Sequence, residues 1–223
     1  MIKEQGVINV FAMVVHPVVD SLTYCLFDDA LDILSKNFNV IRCSLYDENF
    51  ESAMSELERR SYHDVNFTHE GIQGYVDILL NADAIILSFP TWNGGPPAIL
   101  KGFFDRVFKP GVSFFIKPNG SIETLNNFSK IKYIMAINPH GGSYLNAKYM
   151  GDYSRKLVTR WLRWSLGSKA KVRYIGFYNI NTIDDVRVMR MRDVVKKEAI
   201  LLTKHLSHLS IMKQQNGKDS LLY

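Results

Sequence analysis

The sequence predicts an α/β protein, a doubly wound sheet of five parallel strands with helices on both faces. Three observations point there. Short apolar runs alternate along the chain with stretches of helical periodicity, the pattern of repeated strand–helix units. The strand-like runs are almost wholly apolar, as strands covered on both faces must be. Loops rich in Gly, Pro, Ser and Asn follow three of these runs, where an open parallel sheet leaves a ligand crevice beyond the carboxyl ends of its strands.

The elements follow in order. Val7–Val15 is the first strand and Ser21–Asn37 its helix; Val40–Leu45 is a short second strand. Tyr46–Phe67 is polar, dotted with aromatics, and irregular or partly helical. Glu70–Leu80 is a helix, with Ile72, Val76, Leu79 and Leu80 near helical spacing. Ala84–Phe89 is the third strand, stopped by Pro90, which has no amide hydrogen for a ladder. Pro97 then opens a helix to Val107, a position where its missing N–H is harmless. Two turn signals, Pro110-Gly111 and Pro118-Asn119-Gly120, make Lys109–Phe128 a hairpin-like excursion. Ile131–Ile137 is the fourth strand, Leu145–Ser165 a helix, Lys171–Tyr178 the fifth strand and Asp184–Leu206 the last helix. Residues 1–210 make one domain, and 211–223 a polar, loose tail.

At 223 residues, with 47% hydrophobic and 22% charged residues, the chain has the make-up of a soluble globular domain. No apolar run approaches the roughly 20 residues of a membrane helix, and the N-terminal run lacks the length and cleavage site of a signal peptide. A cytoplasmic location is expected, with Cys25 and Cys43 as reduced thiols. Neither cysteine has metal-site spacing, and no metal is expected. The net charge of +5 and pI of about 9.1 raise the question of nucleic acid. The basic residues of 187–197 are interleaved with Asp184, Asp185, Asp193 and Glu198, so a solvated helix face accounts for them better than a nucleic-acid surface. A basic rim that attracts an anionic nicotinamide cofactor is a second reading.

Three loops converge on one crevice. The most informative is Phe89-Pro-Thr-Trp-Asn-Gly-Gly95. Gly94 and Gly95 let backbone approach a flat ring, Trp92 can lie against it, and amides along Thr91–Gly95 can donate to its edge: a flavin site. The loop His16–Tyr24 enters the first helix, whose N-terminus, with Ser21 and Thr23, suits a phosphate; the same hydroxyls also serve as helix caps. No GxGxxG is present, so a Rossmann dinucleotide site is not indicated. The loop Asn138–Asn146 brings Gly141, Gly142, His140 and Tyr144. His140 is either a participant near neutral pH or a surface histidine; His63 and His69 are bystanders, and Asp105 with Arg106 is a helix-end structural pair.

The order of His16-Pro17, Ser21 and Thr23, then FPTWNGGPPAILKGFFDRVFKPGVSF, then His140-Gly141-Gly142-Ser143 resembles the flavodoxin-like NAD(P)H:quinone oxidoreductases, the DT-diaphorase and modulator-of-drug-activity relatives. The likeness covers most of residues 7–180 and is most specific at Pro97–Phe108. It implies a flavodoxin-like sheet of order 2-1-3-4-5, a homodimer, FMN or FAD as cofactor and NAD(P)H as donor. Hydride would pass through the flavin to a quinone in ping-pong turnover. The resemblance puts His16, Ser21, Leu22 and Thr23 at the flavin phosphate. It puts Pro90, Thr91, Trp92, Asn93, Gly94, Gly141, Gly142 and Ser143 along the isoalloxazine; His140 and Tyr144 are the candidates for catalysis, although His140 stands where the family has a threonine. The family's downstream Tyr/His pair has no clean match; Tyr144, Tyr149 and Tyr153 are its candidates. Trp92-Asn93 is also similar to the Tyr-Asn loop of the NADPH-dependent FMN reductases. An FMN reductase, an electron-carrying flavodoxin and a flavin-binding regulatory subunit of a membrane transporter are the alternatives.

Overall fold

The computed structural model describes residues 7–65, 70–167 and 170–219. Its strands are β1 (Asn9–Val14), β2 (Asn39–Ser44), β3 (Ala84–Ser88), β4 (Phe114–Ile116), β5 (Ile122–Thr124), β6 (Tyr133–Pro139) and β7 (Lys171–Phe177). Five of them make one sheet in the order β2-β1-β3-β6-β7, with every neighbour parallel. With the excursion set aside, that is the expected order 2-1-3-4-5. The excursion is the expected hairpin: β4 and β5 pair antiparallel, across a turn where Gly120 takes φ +81°.

The helices are α1 (Leu22–Leu34), α2 (Glu56–Arg60), α3 (Glu70–Asn81), α4 (Ala98–Val107), α5 (Tyr144–Tyr149), α6 (Tyr153–Lys156), α7 (Arg163–Ser165) and α8 (Asp185–Asp219). A π turn, Leu157–Leu162, joins α6 to α7. Side chains alternate across the central strands, so each strand feeds two cores. Phe11 and Met13, Ile85 and Leu87, and Ile134 and Ala136 face one core, shared with α3, α4 and the π turn. Val10, Ala12 and Val14, with Ala84, Ile86, Tyr133, Met135 and Ile137, face the other, covered by α1 and α8. Both faces being apolar is what made the strands read as unbroken runs.

Charged groups brace the helices. Asp29 on α1 is buried and takes both guanidinium donors of Arg192 on α8, at 2.7 and 2.9 Å, with Lys196 at 3.3 Å. Part of the basic stretch is therefore structural. Arg106 on α4 is also buried and reaches Glu58 on α2 at 2.7–2.8 Å and the Glu51 carbonyl. Burial pushes the Glu58 carboxyl up, but the Ser55 amide and Arg106 outweigh it and hold it below the usual range.

Three expectations need correction. Asp105 does not pair with Arg106: consecutive helical residues diverge, and Asp105 pairs with Lys101 one turn back instead. The helix expected over Leu145–Ser165 is broken, because Gly151 (φ +92°) and Asp152 (φ +49°) adopt left-handed backbone. The tail expected to be loose after Ser210 continues as helix α8 to Asp219; residues 220–223, like His69, lie outside the described residues.

The contact between α4 and the segment after β2 is tight enough to test. A Cβ on Gly102 would stand 2.1 Å from the carbonyl oxygen of Ser52, so only glycine admits this approach. Gly102→Ala is expected to cost about 2–3 kcal/mol, a fall in Tm of about 4–12 °C, measured by thermal unfolding.

Candidate active site

The three loops meet at the carboxyl end of the sheet, and one buried side chain ties those after β3 and β6 to each other and to β7. Asn138, the penultimate residue of β6, is fully buried. Its amide donates to the Phe89 carbonyl at 2.7 Å, and its oxygen accepts from the Thr91 hydroxyl at 2.9 Å and the Tyr174 hydroxyl at 2.6 Å. Thr91 in turn meets the Ser154 hydroxyl at 2.8 Å. Backbone bonds extend the register past the strands: the Thr91 amide donates to the Pro139 carbonyl at 2.9 Å, and the His140 amide to the Phe177 carbonyl at 2.7 Å.

The loop after β3 is tighter than its sequence suggested. Trp92 and Gly95 exchange amide–carbonyl bonds at 2.8 and 3.0 Å, and Asn93 and Gly94 sit at φ +48° and +79°. Two central residues at positive φ make a type I′ turn, for which Asn-Gly is the usual pair. The amides of Thr91, Trp92 and Gly95 are thereby engaged inside the protein. The expectation that the whole of Thr91–Gly95 offers donors therefore narrows to Asn93 and Gly94, whose amides have no partner among the described residues.

The cleft has a volume of about 430 Å³, within the range of small-molecule sites. Of the residues expected at the isoalloxazine, Thr91, Asn93, Gly94, Gly141 and Gly142 line it, as does His140. Side chains at the two glycines would crowd it: a Cβ would stand 3.0 Å from Asn181 Oδ1 at Gly141 and 3.2 Å from Asn146 Nδ2 at Gly142. Pro90 is buried behind the turn, while Trp92 is 41% exposed and meets the His16 ring edge-on at 5.7 Å. His16 Nδ1 accepts from the Val18 amide at 3.1 Å. Ser21 caps α1 by accepting from the Tyr24 amide at 3.4 Å, and Ser143 caps α5 by accepting from the Asn146 amide at 3.1 Å. Thr23 is buried and Leu22 packs on the α1 core. Tyr144 is half-exposed and stands edge-on to Tyr178 at 5.3 Å. His63 lies against Tyr62 in the turn after α2, and neither residue lines this cleft.

Sequence reasoning missed Asn138, Asp152, Ser154 and Asn181. The Gly151-Asp152 pair was a turn signal inside a helical pattern; the left-handed backbone there redirects the chain and brings Asp152, Tyr153 and Ser154 to the cleft. Asp152 is buried and paired with Lys148 at 2.8 Å. Behind the cleft, the rings of His140 and Tyr178 lie 5.3 Å apart. His140 Nδ1 and the Tyr178 hydroxyl are buried without a hydrogen-bond partner among the described residues. Burial pushes the His140 pKa below its ordinary value, against the pull of Asp152, and pushes the Tyr178 hydroxyl up, with Asp152 adding to the rise.

Burial thus favours the neutral form of the His140 ring, and the sign of its linkage follows. The folded state disfavours its proton, so stability is full above the unfolded value of about 6.5 and falls as pH drops from there toward the lower folded value. His140→Gln removes this component. The stability of the unsubstituted protein relative to the variant is expected to decline between pH 7.5 and 5, measured from denaturant midpoints.

The comparisons with known proteins agree with this architecture. Residues 9–193 match a family model described as a flavodoxin-like fold. An FMN-dependent NADH:quinone oxidoreductase of Clostridium perfringens is 30% identical over 198 residues, 83% of this chain and 91% of that protein. Another, from Lachnoclostridium phytofermentans, is 29% identical over 82% of this chain and 80% of that protein. Among solved structures, the NAD(P)H:quinone oxidoreductase of Methanothermobacter marburgensis superposes with a TM-score of 0.70 at 21% identity, covering 85% of this chain and 96% of that one. An FMN-dependent NADH-azoreductase of Bacillus anthracis, in complex with FMN, gives 0.69 at 19% identity, covering 88% and 99%. At such identities the solved structures speak to the fold alone. With its five-stranded parallel sheet in the order β2-β1-β3-β6-β7, and with a family match spanning that sheet, the chain belongs to the flavodoxin-like family together with the FMN-dependent NADH:quinone oxidoreductases.

Proposed function

We propose that the chain is an FMN-dependent oxidoreductase that takes hydride from a nicotinamide donor, NADH as in its named relatives, and delivers it to a quinone or similar acceptor. The observation that carries this reading is the glycine-walled cleft between the loops after β3 and β6, with the free N-terminus of the 13-residue helix α1 on the adjoining loop. The residues present fit a flavin. Gly141 and Gly142 leave room that a Cβ would fill, and the unpartnered His140 Nδ1 lies at the same wall. The first-turn amides of Leu22 and Thr23 have no partner among the described residues and suit a phosphate.

FMN, when bound, supplies the hydride relay between donor and acceptor. The chain's own residues bind and orient. Asn93, Gly94, Gly141 and Gly142 offer backbone amides to a ring edge, Trp92 and His16 meet edge-on beside this loop, and Asn138 fixes the spacing of the two loops. His140, kept neutral by burial, can hold or give up a proton at its free Nδ1. Tyr144 stands outside the cleft lining, edge-on to Tyr178.

The chain acts as a homodimer in this reading. Leu145, Tyr149 and Met150, on and just after α5 beside the cleft, are 78%, 89% and 60% exposed, an apolar surface that suits a second subunit. The two free thiols, Cys25 and Cys43, fit a reducing cytoplasm, and no described helix is long and apolar enough to cross a membrane.

Anaerobic visible spectroscopy tests the function. Protein incubated with FMN is expected to retain it stoichiometrically, to bleach with NADH and to recolour with a quinone; a chain that stays colourless refutes the reading. In the same assay Asn138→Ala, which strands the Phe89 carbonyl and the Tyr174 hydroxyl and frees Thr91 from the strand, should weaken FMN retention at least tenfold while the fold survives by circular dichroism. For the dimer, sedimentation should give twice the chain mass, and Leu145→Glu should return it to the monomer value.

A further inference from the structure

A second cavity, of about 360 Å³, lies outside the cleft between α4 and the π turn. Its floor is apolar. Phe104 and Trp161 pack with ring centroids 5.1 Å apart and planes inclined at 59°, and Leu157 is buried beside them. Its rim is cationic. Lys156, the last residue of α6, and Arg160, four residues on in the π turn, are both exposed, and neither has a carboxylate partner among the described residues. The third rim cation, Lys101, is already neutralised by Asp105. The groove therefore offers an aromatic floor with two uncompensated positive charges at one edge. The wall against the neighbouring cleft is Tyr153, which lines both cavities. A second observation is the backbone itself: six residues of π helix, a rare geometry found frequently at functional sites, supply Leu157, Arg160 and Trp161 to this groove.

We propose that the groove is a binding site, separate from the FMN cleft, for a small planar aromatic acid, with the ring on Phe104 and Trp161 and the acid group between Lys156 and Arg160. Charge decides for this occupant. A neutral aromatic would leave both cations without a counter-charge, and a compact inorganic anion would leave the apolar floor wet. An aromatic acid satisfies both halves at once, with the guanidinium supplying a planar fork for carboxylate or sulfonate. The proposal does not rest on the redox reading, since none of these four residues lines the cleft.

Calorimetric titration of the full chain with naphthalene sulfonate, alone and saturated with FMN, tests it. Naphthalene methanol serves as the neutral isostere. One equivalent of the sulfonate is expected to bind in both states, at least tenfold tighter than the alcohol. The double variant Lys156→Glu/Arg160→Glu should lose at least tenfold in sulfonate affinity, with FMN affinity unchanged; Trp161→Leu should weaken both ligands. Three results would overturn the proposal: equal affinity for sulfonate and alcohol, competition between sulfonate and FMN, or sulfonate binding untouched in the double variant. Absence of sulfonate binding, together with a dimer that Trp161→Glu dissociates, would assign the groove to a second copy of the chain instead.

Discussion

The site depends on one buried amide. Asn138 has no access to water, so each of its polar atoms must find a partner inside the protein. Its partners lie on three different segments: the Phe89 carbonyl at the end of β3, the Thr91 hydroxyl in the loop beyond, and the Tyr174 hydroxyl on β7. A displaced loop would leave a donor or acceptor unsatisfied in the interior, at about 1–3 kcal/mol for each group. That asymmetry makes the arrangement specific rather than merely stable. It holds the walls of the cleft at a fixed separation before any ligand arrives, and preorganisation of this kind lowers the ordering cost of binding. Ser154 joins through Thr91, so the segment beyond the Gly151-Asp152 break is held by the same network.

Much of the fold was open to sequence reasoning because burial on both faces imposes a one-dimensional signal. Strands β1, β3 and β6 are unbroken apolar runs, and their ends fall within two residues of the expected positions. Pro90 and Pro97 punctuate the chain through local backbone chemistry that needs no tertiary information. Long-range partners were not open in this way. Arg106 looked like the neighbour of Asp105, yet it reaches 48 residues back to Glu58, because helical geometry turns consecutive side chains apart and only the folded chain brings α2 beneath α4.

The cleft shows the same division. Gly141 and Gly142 were legible as places where backbone must come close to something, and Gly94 as a place for left-handed backbone. Which amides remain free was not, although the Asn93-Gly94 pair carried the signature of a type I′ turn. Asn138 was hidden for a different reason: as the last polar residue of an apolar run it looked like the strand's end, and its role exists only through β3 and β7 beside it. Asp152 was masked by helical periodicity on either side of Gly151, where a glycine in a helical pattern admits both a tolerated interior residue and a break.

The electrostatics of the cleft bear on what it can accept. Asp152 is the one carboxylate among its lining residues, and Lys148 matches it at 2.8 Å, so the wall presents no net negative charge to an electron-rich ring. His140 is kept neutral by burial, so it adds no cation that would hold an anionic product in place. Tyr178 behind it has its hydroxyl pKa raised by the same burial and remains a proton donor. Positive potential is placed elsewhere, at the N-terminus of α1 and on the rim carrying Lys156 and Arg160. On the proposed reading, the compensated cleft and the α1 N-terminus suit a ligand with a neutral ring and an anionic tail, the ring in the cleft and the phosphate at the helix end. Charge placement of this kind explains how a wall of small residues can hold one orientation of a flat ring without a bulky clamp.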